Sequence, residues 1–208
     1  MEDTMEHAKM IKTAKGLDTF FKVMQKISAI AIAVMLIVMI ALTVATLVDP
    51  QAVIGKNFDM LDVGELTLRL APEYVPDNAT VLKTAWVMVL FGCLSAAVWV
   101  YAFGQLRKLL APMKDGQPFC EATCTALKRL ADCVLALGII GNVGRIVTVS
   151  STLAIYRLSD VTQGGAITAV SANQELSMDF LVVYFLLLLV RYIFRYGTEL
   201  QHLSDETL

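Results

Sequence analysis

Four ionisable side chains interrupt two long apolar stretches of the sequence, and their chemistry needs an explanation first. They are Asp132 and Arg145 in the third apolar stretch, and Asp179 and Arg191 in the fourth. A charge without a partner costs about 2.5–3.5 kcal/mol at the centre of a membrane span, so pairing is expected there. Charges in this position either fix the register of packed helices or serve transport and sensing, and the register role is favoured.

The order of these charges along the chain predicts which of them pair. In two antiparallel helices, residue numbers rise with depth in one helix and fall in the other, so facing residues have a nearly constant sum of residue numbers. The sum for Arg145 and Asp179 nearly equals that for Asp132 and Arg191, so the residues of each pair lie at matching depth. A repeat of 3.6 residues per turn prevents both pairs from facing each other across one straight interface. We therefore predict an intramembrane pair of Arg145 and Asp179, with Arg191 extending along its aliphatic stem toward the headgroups.

Three cysteines with short spacing, Cys120, Cys124 and Cys133, come closest to a metal or redox motif. A structural zinc site takes four ligands, and neither His7 nor His202 lies close to them in the sequence. Reduced thiols are therefore expected, and no metal ligand or cofactor is predicted. Because the sequence carries no Ser-His, Cys-His or paired-carboxylate constellation, we predict no catalytic residue and no enzymatic activity.

The composition of the chain excludes most classes of soluble protein. Of 208 residues, 57% are hydrophobic and 17% are charged, whereas soluble domains have about 45–50% apolar and about 25% charged residues. A formal net charge of −2 is not that of a strongly basic domain, so no direct nucleic-acid binding is expected. The composition indicates an integral membrane protein that has the lipid bilayer as its first partner.

Four stretches are long and apolar enough to cross a membrane as helices. A bilayer core about 30 Å thick requires about 20 mostly apolar residues, because the backbone must satisfy its own hydrogen bonds there. The predicted spans are residues 27–48, 84–103, 127–153 and 176–196. They predict a single membrane domain over residues 1–208, an all-α bundle of four transmembrane helices.

Positive residues near the ends of the spans predict the orientation of the chain, because Lys and Arg are retained on the cytoplasmic side. With the N-terminus inside, 11 of the 17 Lys and Arg residues are cytoplasmic and 4 are outside. We therefore predict that both termini are cytoplasmic. The water-facing segments are then residues 1–26, 104–126 and 197–208 inside, and residues 49–83 and 154–175 outside.

Apolar residues recur every three or four positions in the segment before the first span, which is typical of an amphipathic helix. The stripe consists of Met10, Ala14, Leu17, Phe21 and Met24, and lysines flank it. This helix either lies in the inner headgroup layer, where anionic lipids attract the lysines, or packs on the cytoplasmic loop of the protein itself. Both arrangements are compatible with the stripe.

The two outer segments carry strand patterns. Residues 65–70 alternate polar and apolar side chains, and this period of two predicts a half-buried strand. In the second outer segment, Gly164 and Gly165 precede residues 166–170, which predicts a turn followed by a strand. Together the segments predict a small extracellular cap with short β-strands.

Gly138, Gly141 and Gly144 recur every three residues in the third span. Small residues allow another helix to approach closely, so we predict helix packing at these positions. The spacing suits packing within the bundle and packing between copies of the chain equally.

The loop before the third span and the C-terminus carry the most specific patterns. A cytoplasmic turn built on Gly116, Pro118 and Phe119 precedes a basic helix at residues 127–130, and Gly-Thr-Glu-Leu-Gln followed by Ser-Asp-Glu-Thr-Leu ends the chain. With these features the chain resembles the bacterial membrane-protein family catalogued as domain of unknown function 2975. Cys120 departs from the family pattern at the helix-capping position. The resemblance implies four spans in a bacterial plasma (inner) membrane, and it brings no established activity.

Two functions of different class follow from these observations. The first is a non-enzymatic polytopic membrane protein that acts as a regulatory, sensing or anchoring module, with a protein partner or a second copy of itself as its ligand. The alternative is a small oligomeric transporter or channel that uses the intramembrane charges.

Overall fold

The computed structural model describes residues 2–49, 60–63, 66–69, 78–114, 120–155 and 176–206. These residues form four helices and two short strands. In chain order they are α1 (Glu2–Val48), β1 (Met60–Val63), β2 (Leu66–Arg69), α2 (Asn78–Lys114), α3 (Glu121–Ile155) and α4 (Asp179–Glu206).

Each of the four helices contains a stretch long and apolar enough to cross a membrane. These stretches are Ile11–Val48, Asn78–Lys114, Glu121–Ser151 and Asp179–Leu200. Their large apolar side chains are widely exposed, and those of Ile37, Leu90, Val182 and Phe185 are 63–68% exposed. Lipid, which is as apolar as these side chains, accounts for such exposure where water would not. The protein is therefore a multi-pass membrane protein, as the apolar stretches predict.

The helices extend well beyond the predicted spans. α1 has 47 residues and α2 has 37, which corresponds to about 70 Å and 55 Å at 1.5 Å per residue. The segment before the first span is rich in Lys, Glu, Met and Ala, which favour a helix in water as well as in lipid. α1 continues without interruption from the N-terminal stripe into the first span, so both belong to one helix. The arrangement in the headgroup layer stays a prediction.

α4 begins at Asp179, three residues after the predicted start of the fourth span at residue 176. The Oγ of Ser177 donates a hydrogen bond to Oδ2 of Asp179 over 3.2 Å, and the amide of Leu181 donates to the carbonyl of Met178. A carboxylate in the first turn is favourable because the unsatisfied amides of a helix N-terminus carry partial positive charge. Asp179 therefore lies at the end of its helix, whereas the sequence placed it within the span.

The two strands pair antiparallel, with Met60 opposite Arg69 and Val63 opposite Leu66. Only Gly64 and Glu65 separate them in the sequence, the length of a tight hairpin connection. The period-two pattern predicted a strand at residues 65–70, and β2 forms at residues 66–69. The second predicted strand, residues 166–170, lies outside the described residues.

The chain divides into two compact units. The first unit consists of residues 1–32, 94–140 and 177–208, and the second of residues 33–93 and 141–176. Small residues dominate the buried positions of the first unit, among them Ala102, Ala126 and Ala131. Short side chains at these positions allow the backbone of a neighbouring helix to approach closely.

Candidate functional site

A carboxylate shared by two cations joins α1 to α2 in the first unit. Asp18 accepts a hydrogen bond from Nε of Arg107 at its Oδ1 over 2.9 Å and one from Nζ of Lys114 at its Oδ2 over 2.6 Å. The side chains of Asp18, Arg107 and Lys114 are 22%, 34% and 24% exposed. We call these three residues the Asp18 clamp. Each oxygen of Asp18 has its own cation, so removing the carboxylate leaves two positive charges that face each other.

Gln25 extends this network two turns further along α1. Its Oε1 accepts a hydrogen bond from Nη1 of Arg107 over 3.3 Å, and its Nε2 donates to the carbonyl of Val100 over 3.2 Å. Gly104 of α2 lies beside this amide, since a Cβ built there would be 3.4 Å from Nε2. The absence of a side chain at Gly104 therefore leaves room for Gln25 to reach the backbone of α2.

Aromatic rings continue the contact between the same two helices. The ring of Phe21 stacks on that of Phe103 with centroids 6.1 Å apart, and Trp99 stacks on Phe103 at 5.5 Å. Offset-stacked rings at these separations contribute about 0.5–1.5 kcal/mol beyond the burial of their surface. α1 is thus held to α2 by a polar network and an aromatic stack on neighbouring turns. This contact corresponds to the second predicted arrangement, in which the N-terminal segment packs on the protein itself.

Two neighbouring hollows lie between α2 and α3 in the first unit. The first, which we call the polar groove, has a volume of about 460 Å³ and is lined by charged and polar side chains together with alanines and a proline. Its polar members are Gln105, Lys108, Glu121, Thr125 and Arg129. The second, which we call the apolar cavity, has a volume of about 380 Å³ and is lined by Ala97, Val98, Tyr101, Arg129, Asp132, Cys133 and Ala136. Arg129 borders both, so the two hollows meet at its side chain.

The four predicted intramembrane charges occupy different settings. Asp132 is exposed and borders the apolar cavity, and the Nε of Arg191 is buried with no hydrogen-bond partner among the described residues. Asp179 belongs to the first unit and Arg145 to the second. The pairing of Arg145 with Asp179 therefore stays a prediction, as does the extension of Arg191 toward the headgroups.

The three glycines of α3 differ in what faces them. A Cβ at Gly138 would overlap the ring of Phe180 on α4, and one at Gly144 would lie 3.5 Å from Cδ1 of Phe91 on α2. Gly141 has no neighbouring atom within 4 Å of such a Cβ. Close approach by another helix therefore requires glycine only at Gly138, because only there does a side chain occupy the volume of the missing methyl group.

All four cysteines are free thiols, and Cys120 occupies the capping position of α3. The carbonyl of Cys120 accepts hydrogen bonds from the amides of Thr123 and Cys124, and its Sγ lies 3.2 Å from Oγ1 of Thr123. Within the described ranges, no three His, Cys, Asp or Glu side chains gather in a way that could hold a metal ion. The predicted turn of Gly116, Pro118 and Phe119 lies outside those ranges.

The sequence did not reveal two residues that organise this region, Asp18 and Gln105. Asp18 is the one acidic residue between Lys12 and Lys26, which is the only sequence signal that it has a partner. Gln105 is 2% exposed although it is polar, and nothing in the run of apolar residues before it predicts that burial. Both roles depend on which helix faces α2, and this is a property of the packed chain.

A family model described as a protein of unknown function, DUF2975, matches residues 70–208. No curated protein and no solved structure matches the chain. Because the matched region covers more than half of the sequence and includes α2, α3 and α4, the chain belongs to the DUF2975 family.

Proposed function

We propose that the protein is a non-enzymatic regulatory or anchoring module, which responds to a protein partner through the Asp18 clamp. The observation that carries the proposal is the sharing of one carboxylate between Arg107 and Lys114 on the neighbouring helix. All three side chains are partly exposed, so an acidic group of a partner can compete with Asp18 for the two cations. Such competition would release the N-terminal segment of α1 from α2. An exchange of carboxylates at one position would thus change the structure of a whole segment.

The clamp is a suitable switch because it is held weakly. Partly exposed ion pairs contribute about 0–1 kcal/mol each, so a partner carboxylate of similar affinity exchanges with Asp18 readily. The aromatic stack of Phe21, Trp99 and Phe103 keeps the helices together after exchange, which confines the change to the end of α1.

We place the clamp on the cytoplasmic side of a bacterial plasma membrane. The excess of Lys and Arg residues before the first predicted span, around the connection between the second and third spans and at the end of the fourth span supports cytoplasmic termini. In this topology the four helices form one bundle, and the hairpin of β1 and β2 belongs to an extracellular cap. The resemblance to bacterial membrane proteins supports the choice of membrane.

Labelling of single cysteines tests the topology. In intact cells, an impermeant thiol reagent is expected to modify a cysteine placed at Met60, near the hairpin, and to spare one placed at residue 115. Modification of both, or of residue 115 alone, contradicts the topology. The background is a chain in which Cys93, Cys120, Cys124 and Cys133 are replaced by Ser or Ala.

Crosslinking in native membranes tests the module itself. Asp18→Asn keeps the shape of the side chain and removes its charge, so the recovery of a crosslinked partner is expected to change about threefold or more, as for an interaction of roughly 1 kcal/mol. Lys22→Gln, an exposed position one turn away on α1, is the matched control and is expected to leave recovery unchanged. Equal recovery from both variants, or no partner in the wild type, contradicts the proposal.

The alternative of a small oligomeric transporter is favoured by one observation, the position of Asp132. Its carboxylate is exposed within a predicted span and borders the apolar cavity. If the protein is a transporter, we expect solute or ion flux in liposomes that Asp132→Asn abolishes. If it is a regulatory module, we expect no flux in the wild type or in the variant.

A further inference from the structure

The polar groove combines two cations with an anion and an amide. Lys108 and Arg129 supply the positive charges, Glu121 supplies the negative charge, and Gln105 lies in the wall. Neither a hydrogen bond nor an ion pair joins the side chains of Lys108, Glu121 or Arg129 to any other residue in the described part of the chain. Three charged side chains, two positive and one negative, therefore line one hollow of about 460 Å³ without forming an ion pair with one another.

Gln105 gives a second and independent sign of a ligand. The residue is 2% exposed, and its Oε1 has no hydrogen-bond partner among the described residues. A buried acceptor without a donor is unfavourable, because it has lost its hydrogen bonds to water and gained none in the protein. Rotation of the terminal amide turns this oxygen into the groove, where a donor from a bound molecule would satisfy it.

The apolar cavity continues the groove along the same pair of helices. On α2 its lining residues are Ala97, Val98 and Tyr101, and their centre lies about 15 Å along the helix from that of the groove residues on α2, at 1.5 Å per residue. No residue between Lys83 and Arg107 is charged, so the cavity lies along the part of α2 that crosses hydrocarbon and the groove lies where α2 leaves it. A ligand that fills both is charged at one end and apolar at the other.

We propose that this paired hollow binds a phospholipid with an ethanolamine headgroup. The phosphate lies between Lys108 and Arg129, the ammonium group donates to Glu121 and to Oε1 of Gln105, and one acyl chain occupies the apolar cavity. The proposal goes beyond the regulatory function proposed above and stands without it, because it requires only that the helices cross a membrane.

The donor set favours ethanolamine over the other common headgroups. A choline group carries the same charge but has no N–H to donate to Gln105 or Glu121. A glycerol headgroup has hydroxyl donors but no cation, so it would leave the carboxylate of Glu121 without an ionic partner. Charge-assisted hydrogen bonds to a carboxylate are about twice as strong as neutral ones, and only the ammonium group makes them here.

Competition between lipids tests the headgroup in the unmodified protein. The purified full chain in mild detergent is mixed with equal amounts of phosphatidylethanolamine, phosphatidylcholine and phosphatidylglycerol of identical acyl chains, and native mass spectrometry counts the lipid retained. The ethanolamine lipid is expected to be retained about tenfold over the choline lipid, as for the loss of one or two charge-assisted bonds. Equal retention of the two, or highest retention of the glycerol lipid, overturns the proposal.

Paired variants test the site. Arg129→Gln is expected to lower retention of the ethanolamine lipid about tenfold, while Lys128→Gln, the adjacent exposed cation outside both hollows, leaves it unchanged. Gln105→Leu removes the acceptor and is expected to narrow the preference over the choline lipid to about threefold. An equal loss in the Arg129 and Lys128 variants shows non-specific attraction to anionic groups and overturns the assignment.

A soluble headgroup distinguishes a lipid from a free phosphate compound. Glycerophosphoethanolamine, which lacks acyl chains, is expected to displace the bound lipid at no less than a hundredfold higher concentration, since it cannot fill the apolar cavity. Displacement at equal concentration means that the cavity does not contribute, and it overturns the lipid assignment.

Discussion

The two compact units hold the same helices together in different ways. In the first unit α1 and α2 are joined by Asp18, Arg107, Lys114 and Gln25 through charged and polar contacts. In the second unit apolar side chains lie against glycines, with Met35 against Gly92 and Phe91 against Gly144. Polar side chains are concentrated at the two ends of the apolar runs. The kind of contact that a helix makes therefore changes along its length with the polarity of its residues.

A polar contact of a different kind joins α1 and α2 in the second unit. The Nε1 of Trp86 donates to Oγ1 of Thr43 over 3.1 Å, and Thr43 itself donates to the carbonyl of Met39 one turn earlier in α1. No charge is involved, so this contact suits hydrocarbon, where an unpaired charge is costly and a neutral hydrogen bond contributes about 0.6 kcal/mol. The charged contacts that join α1 to α2 at Asp18, by comparison, lie in the first unit.

The largest expected effect tests the packing of the first unit. Gly138→Leu places a side chain in the volume of the Phe180 ring, and overpacking of this kind lowers the free energy of unfolding by about 2–3 kcal/mol. Gly141→Leu is the matched control three residues away, where the structure leaves open space. Thermal unfolding in detergent, followed by circular dichroism, gives the comparison.

A double variant keeps this prediction testable if Gly138→Leu does not fold. Phe180→Ala opens space opposite position 138, so the combination of Gly138→Leu and Phe180→Ala is expected to fold better than Gly138→Leu alone. If the two glycine variants unfold at the same temperature, the contact of α3 with α4 at Phe180 is not formed in the protein.

An intermediate effect tests the polar contacts that distinguish the first unit. Asp18→Ala leaves Arg107 and Lys114 facing each other, and it is expected to lower the free energy of unfolding by about 1–2 kcal/mol. Lys22→Ala, an exposed cation on the same helix, is expected to change it by less than about 0.5 kcal/mol.

The salt dependence of the same variants separates charge from packing. Because the clamp residues are 22–34% exposed, added salt screens them, and the difference between wild type and Asp18→Ala is expected to shrink as ionic strength rises. A difference that persists unchanged in high salt would show that Asp18 acts through packing, and the two units would then differ less than their contacts indicate.

The smallest expected effect tests whether the second unit accommodates an added methyl group at a glycine. A Cβ at Gly144 lies 3.5 Å from Phe91, an ordinary van der Waals distance. Gly144→Ala is therefore expected to raise the free energy of unfolding by about 0.5 kcal/mol, because alanine favours a helix more than glycine does. Gly138→Ala, whose methyl group meets the Phe180 ring, is expected to lower it. If both substitutions stabilise, the two glycines are equivalent and the units pack equally loosely.

The positions of the helices were predictable, and their ends were not. The uncharged run of residues 27–48 allows only a membrane helix, yet α1 begins at Glu2. α2 continues past Gly104 and Pro112 to Lys114, although both residues usually mark helix ends. Contacts of the extended parts, such as Gln25 with Val100, stabilise helix where local preference alone is weak.

The sequence by itself determined the class of the protein, the four spans, the strand at residues 66–69 and the family. The class, the spans and the strand depend on composition and on short-range periodicity, which are additive along the chain and need no knowledge of neighbours. The family rests on the sequence motifs of the inner loop and the C-terminus. Only the tertiary structure decided that Asp18 meets Arg107, 89 residues away, that Gln105 is buried, and that Arg129 borders two hollows. These properties depend on how each helix is rotated about its axis, and that rotation results from packing across many residues at once.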